Sequence, residues 1–383
     1  MKGWMVKGPG NLELVSARKP RPAAGELLVR VNRVGICGSD VHLYHGTYRG
    51  PHRYPLFFGH EWSGAVEGLG EGVRGFEVGD LVTGDCSQWC GACEMCPADR
   101  NLCLSIEKTG ITIDGASREY MTVKASHAYR ANGCDPGLLA SAEPLAVAAH
   151  ACERVVRAAG GDWAAAETPS AEVAGVAAGL SPGGSHRCGA PLFGRGLVMG
   201  SGAVGLAVTM FLIDRGVVGS LDVLDVQPFR LEVASSLGAR ALTPEDLGGP
   251  AAAPATGAGG SSYRDAYAAA QYDLVVETTG TEPGFSTALS VARPNASLAL
   301  IGFLPKAGYE MRTVVTKALK IVGSIGGTGN FPDALDLLRR KPEFVRKMVS
   351  HVFTMSEAEE AFRVATDTAR AIKVQIDFGS LGT

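Results

Sequence analysis

The sequence predicts a chain of the α/β plus β class, a β-rich first part followed by a doubly wound parallel sheet. Three observations carry this. The length of 383 residues suits about two domains at roughly 100–200 residues each. Residues 1 to about 150 hold short β segments cut by Gly and Pro, namely Leu27–Val31, Gly64–Gly68 and Asp80–Thr83, which is all-β punctuation. From about residue 194, apolar strands alternate with helical stretches, at Leu197–Met199, Leu221–Leu224, Asp273–Val276 and Leu298–Ile301. Strands that are apolar on both faces and separated by helices belong to a parallel sheet covered on both sides.

Along the chain, the N-terminus Met1–Val6 lacks an apolar run of signal-peptide length, and a cytoplasmic location is expected. Gly160–Pro191 and Gly248–Ser262, both rich in Gly, Ala, Ser and Pro, read as surface insertions. The uncharged stretch Gly196–Ile213 has the minimum length of a membrane span, but Gly200, Ser201, Gly202 and Gly205 interrupt its first half, so no membrane association is expected. Ser356–Phe362 reads as a helix and Lys373–Ile376 as a closing strand. A net charge of -3 and a hydrophobic share of 46% suit a globular enzyme and leave no basic footprint for nucleic acid.

Gly200-Ser201-Gly202-Ala203-Val204-Gly205 is G-x-G-x-x-G between an apolar strand and an apolar helix. The glycines permit a tight turn, close backbone approach to a pyrophosphate and close helix–strand packing. The next strand ends at Asp225, twenty residues after Gly205, where a carboxylate accepts hydrogen bonds from a ribose and repels a 2′-phosphate. NAD is therefore the expected cofactor, with Arg230 on a solvated helix face.

Nine cysteines are present, four of them clustered. Cys90-x2-Cys93-x2-Cys96-x6-Cys103 supplies four thiolates, enough for a closed tetrahedral Zn²⁺ site of the structural kind. Cys37, His60, Glu61 and Glu143 offer a thiolate, an imidazole and carboxylates. Three such ligands leave a metal position open to water or substrate, which is the catalytic kind of site.

With Gly35–His42, Gly59-His60-Glu61, the cysteine lobe, Glu143–Val147, the glycine loop and Val276–Gly280 in this order, the chain resembles the zinc-dependent medium-chain dehydrogenase/reductase superfamily, in its polyol (sorbitol-like) and threonine dehydrogenase branch. The resemblance implies a GroES-like catalytic domain at 1–150, a Rossmann NAD-binding domain at 151–330 with the insertion at about 160–191, and a return segment at 331–383. It implies catalytic zinc on Cys37 and His60 with Glu61 or Glu143 as third ligand, Asp40 orienting the histidine, and Ser39 and His42 relaying the alcohol proton. It also implies a homo-oligomer, dimer or tetramer. The x6 spacing before Cys103 and the long link after His150 depart from the family pattern.

The expected reaction is hydride transfer between a secondary alcohol and NAD, readable in reverse as reduction of a ketone. The segment Tyr44–Arg49, with Arg53, Tyr54, Phe57, Phe58 and Trp62, mixes aromatic and polar side chains and suits a polyol, cyclitol or sugar. An amino alcohol such as threonine, reduction of a conjugated double bond, and a catalytically silent nucleotide-binding protein are the alternatives.

Overall fold

The computed structural model describes residues 1–164, 190–247, 267, 269–304, 306–308 and 311–379. It forms two compact units, Met1–Val147 with Gly326–Thr383, and Ala148–Ile325. Most of the expected insertion at 160–191 and all of Gly248–Ser262 lie outside the described residues.

In the first unit, Glu26–Ile36 is the organising strand of a seven-stranded sheet. It pairs antiparallel with Glu61–Leu69, with Tyr120–Lys124 and, near its C-terminal end, with the last strand Lys373–Asp377. Val29, Val31, Val34, Phe58, Trp62, Val66, Phe362 and Ile376 form its apolar core. Burying side chains of this size stabilises the fold by roughly 1.5–3 kcal/mol each before the entropy cost of ordering. Helix Ala358–Thr366 packs on this core through Ala361, Phe362 and Val364.

The second unit is a six-stranded parallel sheet, ordered Arg240–Leu242, Val218–Leu224, Phe193–Met199, Tyr272–Glu277, Ala292–Leu300, Lys320–Gly323. Numbered along the chain this is 3-2-1-4-5-6, the doubly wound order whose switch point lies beside the first strand. The uncharged stretch 196–213 is that first strand, a glycine turn and helix Ala203–Asp214, whose side chains are almost all buried in the unit. Among the described residues no helix is long and apolar enough to cross a membrane.

Lateral order in this sheet is reinforced by a polar ladder. Asp222, which is buried, accepts from Arg240 Nη2 (2.6 Å), Tyr272 OH (2.7 Å) and Arg195 Nη2 (3.1 Å), joining four adjacent strands. Lys317, also buried, donates to the carbonyls of Leu289, Ser290 and Ala292 at 2.8, 2.8 and 2.9 Å, satisfying the open C-terminal end of helix Glu282–Val291.

Candidate active site

Antiparallel register builds the first site. Gly35 lies opposite Glu61, so the end of one strand meets the start of its partner. Cys37 follows the first strand as the N-cap of helix Gly38–Tyr44, and His60 immediately precedes the second. Ligand atoms of Cys37, His60 and Glu61 lie within 4.8 Å of one another. Asp40 ties the two segments together: its Oδ2 accepts from Cys37 N at 2.9 Å and its Oδ1 from Gly59 N at 3.2 Å. That carboxylate is also 3.8 Å from His60 Nδ1, beyond hydrogen-bonding range. Asp40 thus holds the histidine chiefly through the backbone before it.

The donor set fits a metal. Among the described residues Glu61 Oε2 and His60 Nδ1 are buried without a hydrogen-bond partner, and His60 Nε2 lies 3.5 Å from the Ser39 hydroxyl. Thiolate, imidazole and carboxylate are Zn²⁺ ligands. Room for the carboxylate depends on a glycine, because a Cβ on Gly35 would stand 2.2 Å from Glu61 Oε2. Burial lowers the His60 imidazole, but Asp40, Cys86 and Cys37 outweigh it and hold the ring well above its ordinary value. Burial pushes the Glu143 carboxyl up to about 7, against the pull of His60 and with the repulsion of Glu61. Glu143 sits in the first turn of helix Ala142–Ala158, outside the set of three.

Lys373 is a member of this site that sequence reasoning missed. The closing strand, with Val374 opposite Ile36, delivers the lysine to the site. Its ammonium donates to Glu61 Oε1 at 2.6 Å and to Ile36 O at 3.3 Å, with both partners of the ion pair almost wholly buried. Burial by itself would lower the lysine; Glu61 and Cys37 raise it instead. Cys86 is a second omission, a buried thiol that desolvation pushes up to about 12.

Ser39 and His42 sit on the same short helix. His42 is exposed, and its Nδ1 meets Thr47 Oγ1 at 2.8 Å, a partner the sequence did not suggest. The expected pocket aromatics divide. Phe57, Phe58 and Trp62 are buried in the fold, the last two within the core cluster, and Trp62 lies at the start of strand Glu61–Leu69, where four residues in succession are buried. Tyr54 packs against that core and donates its hydroxyl to Leu43 O. Tyr48 stays half-buried and within the electrostatic reach of His60, Cys37 and Cys86.

The four lobe cysteines converge. Their Sγ separations are 3.5 Å for Cys93–Cys96 and Cys90–Cys103, and 3.9 Å for Cys90–Cys96 and Cys93–Cys103. A tetrahedron with metal–sulfur bonds of about 2.3 Å has edges of about 3.8 Å, so the quartet matches a closed zinc site despite the x6 spacing. Backbone N–H groups of Ala92 and Cys93 point at Cys90 Sγ and lower its thiol.

In the second unit, Gly200 follows the first strand with φ of 88°, and a Cβ on Gly205 would stand 1.8 Å from Gly200 O. Both glycines are therefore required by the turn. Gly202, Ala203, Val204 and Gly205 open helix Ala203–Asp214, which has no side-chain cap. Asp225 ends the neighbouring strand and already accepts from Ser201 N (2.6 Å), Ser201 Oγ (2.9 Å) and Gln227 N (2.8 Å). Arg230 is not simply a solvated residue: its Nη1 stands 3.8 Å from where a Cβ on Gly202 would be, beside the glycine turn.

A thiolate–imidazole–carboxylate cluster, a closed cysteine quartet and a phosphate-type turn at the switch point of a parallel sheet place the chain among metal-dependent oxidoreductases. Two family matches make the class specific: residues 23–133 match the alcohol dehydrogenase GroES-like domain and residues 203–340 the zinc-binding dehydrogenase domain, together more than half of the chain. The chain belongs to the zinc-dependent medium-chain dehydrogenase/reductase superfamily and is an enzyme of that family. It is 27% identical to a sorbitol dehydrogenase of Halalkalibacterium halodurans over 96% of both chains. It is 26% identical to a D-altritol 5-dehydrogenase of Agrobacterium fabrum over 92% of both. Its structure is similar to that of a short chain alcohol dehydrogenase from Escherichia coli CFT073 complexed with NADH, with a TM-score of 0.77, 25% identity and 99% of both chains covered.

Proposed function

We propose that this enzyme oxidises a secondary alcohol of the polyol, cyclitol or sugar class with NAD as hydride acceptor. Cys37, His60 and an acid, Glu61 or Glu143, hold its catalytic zinc, and Cys90, Cys93, Cys96 and Cys103 a structural one. The observation that carries the reading is the convergence of Cys37, His60 and Glu61 ligand atoms within 4.8 Å. Zinc held there would polarise the substrate oxygen and lower its pKa, and NAD would supply the hydride acceptor. The remaining work belongs to the chain. The Ser39 hydroxyl, 3.5 Å from His60 Nε2, takes the alcohol proton as it gives up its own toward His42. His42, three residues on along the same helix and exposed, passes it to solvent, its ring oriented by Thr47.

Cofactor choice rests on Asp225. Its carboxylate at the end of the second strand of the parallel sheet favours ribose hydroxyls and repels a 2′-phosphate. Gly200, Gly202, Ala203, Val204 and Gly205 receive the pyrophosphate with their backbone. The polyol class is supported by the two polyol-dehydrogenase relatives and by a half-buried Tyr48 near the ligand cluster.

An NADH absorbance screen against polyols, cyclitols, sugars and amino alcohols, run with a metal count, tests the reading. Turnover confined to polyols, cyclitols or sugars and abolished by Cys37→Ala and by His60→Ala is the expected result. Undiminished turnover in either variant overturns the site, and turnover confined to amino alcohols overturns the substrate class.

A further inference from the structure

We propose that Thr278 is a positioning residue for the cofactor, acting through the Gly200–Ser201 peptide. The inference rests on the reading of residues 200–205 as the dinucleotide turn. That peptide is anchored at both polar ends. Its N–H, on Ser201, donates to Asp225 Oδ2 at 2.6 Å. Its carbonyl, on Gly200, lies 3.1 Å from Thr278 Oγ1, whose single hydroxyl hydrogen it shares with Met199 O at 2.7 Å. The anchors are the residues that immediately follow the two strands flanking Phe193–Met199, Val218–Leu224 on one side and Tyr272–Glu277 on the other. The N–H and C=O of a planar trans peptide point in opposite directions, so holding both prevents the unit from rotating.

The hydroxyl sits close against both glycines of the turn. A Cβ on Gly200 would stand 2.8 Å from Thr278 Oγ1, and one on Gly205 3.0 Å from it. Thr278 is itself fixed. Its N–H donates to Met199 O at 3.0 Å. Beside it the buried Glu277 carboxylate accepts from Thr279 N at 2.7 Å, Gly280 N at 3.1 Å and the Thr279 hydroxyl. This carboxylate therefore holds the 278–280 turn that presents the hydroxyl.

The consequence concerns the phosphate site. With the Gly200 carbonyl turned back onto Thr278, the uncapped first-turn N–H groups of helix Ala203–Asp214 are the polar groups offered to an anion. Without the hydroxyl, the peptide is held through Ser201 N alone, and tilting of the carbonyl toward an incoming phosphate, where its negative end repels, costs less.

Thr278→Val keeps the shape and removes the donor, Thr278→Ala removes the donor without adding a methyl, and Thr278→Ser keeps the donor. Binding of NADH to each purified, zinc-loaded chain is followed by NADH fluorescence, with thermal midpoints measured in the absence of cofactor. Valine and alanine should each weaken NADH roughly tenfold, the scale of one well-placed hydrogen bond, and serine should recover the wild-type constant to within about twofold. The KM for NAD should rise in step while kcat at saturating NAD stays level, and the cofactor-free midpoint of the serine and valine chains should agree. Equal NADH binding by wild type and Thr278→Val, or a serine variant as weak as the alanine one, overturns the proposal. A wild-type chain that binds no NADH overturns the functional reading itself and this inference with it.

Discussion

Replacing Lys373 by Met tests the least visible part of the candidate site. The ammonium lies 2.6 Å from Glu61 Oε1, and the two side chains are 4% and 1% exposed. Among the described residues the other carboxylate oxygen already lacks a hydrogen-bond partner, so Lys373→Met leaves the buried carboxylate without its ammonium donor, and Ile36 O loses a bond as well. Breaking one side of a buried ion pair costs roughly 3–5 kcal/mol, whereas replacing both partners by apolar groups of similar size is near neutral. Lys373→Met should therefore lose roughly 3–5 kcal/mol in metal-stripped protein, and Lys373→Met combined with Glu61→Leu should recover most of it. Urea unfolding followed by tryptophan fluorescence reads this directly, since Trp62 adjoins Glu61 and is wholly buried; the midpoint should move at constant slope. The loss should shrink when zinc is restored, because a bound cation gives the stranded carboxylate a partner. A single-variant loss below about 1 kcal/mol, or a double variant additive to within about 0.5 kcal/mol, refutes the coupling.

Three further outcomes are expected. Burial opposes ionisation of Asp222, but donors on Arg240 and Tyr272 hold its carboxyl below the ordinary 3.8. Its contribution is thus complete above the unfolded value and lost as pH falls through the folded one. Asp222→Asn should lower the thermal midpoint at neutral pH and flatten its fall below pH 4, and an unchanged acid limb counts against the ladder. Cys93→Ser should remove one equivalent of zinc by atomic absorption and lower the midpoint, and full zinc content refutes the closed quartet. Asp225→Ala should reduce the preference for NAD over NADP and also weaken both by roughly tenfold or more, because Ser201 loses a charge-assisted partner. An unchanged ratio of kcat/KM for the two cofactors refutes the ribose role.

What could be read from sequence was local in the chain. The central parallel strands carry apolar runs because the sheet buries them on both faces there, and Leu197, Val198, Val223, Val275 and Leu298 are all inaccessible. The glycine turn and the cysteine quartet are each contained in a short segment, so spacing alone constrains their geometry. Glu61 and Lys373, by contrast, are 312 positions apart, and only the register of the closing strand against Glu26–Ile36 brings them together. Nothing in Ala371-Ile372-Lys373-Val374 sets that lysine apart from one on an exposed strand face. Gly35 is similar: its missing Cβ matters only because Glu61 lies across from it.

The aromatic residues show the opposite failure, a local pattern with too little contrast. Strand Glu61–Leu69 begins with four buried residues in succession, so the alternation that would separate an inward Trp62 from a pocket-facing one is absent. Asp225 lies between these extremes. Its spacing from the glycines marks it as a ribose acceptor, yet its carboxylate is also the acceptor that fixes Ser201 N and Oγ. On the proposed reading, one side chain sets both the shape of the phosphate turn and the charge at the ribose. Cofactor preference in this chain is then not a property of one pairwise contact. A substitution meant to admit a 2′-phosphate must also supply a new acceptor for Ser201, or it will lose the pyrophosphate while gaining the phosphate.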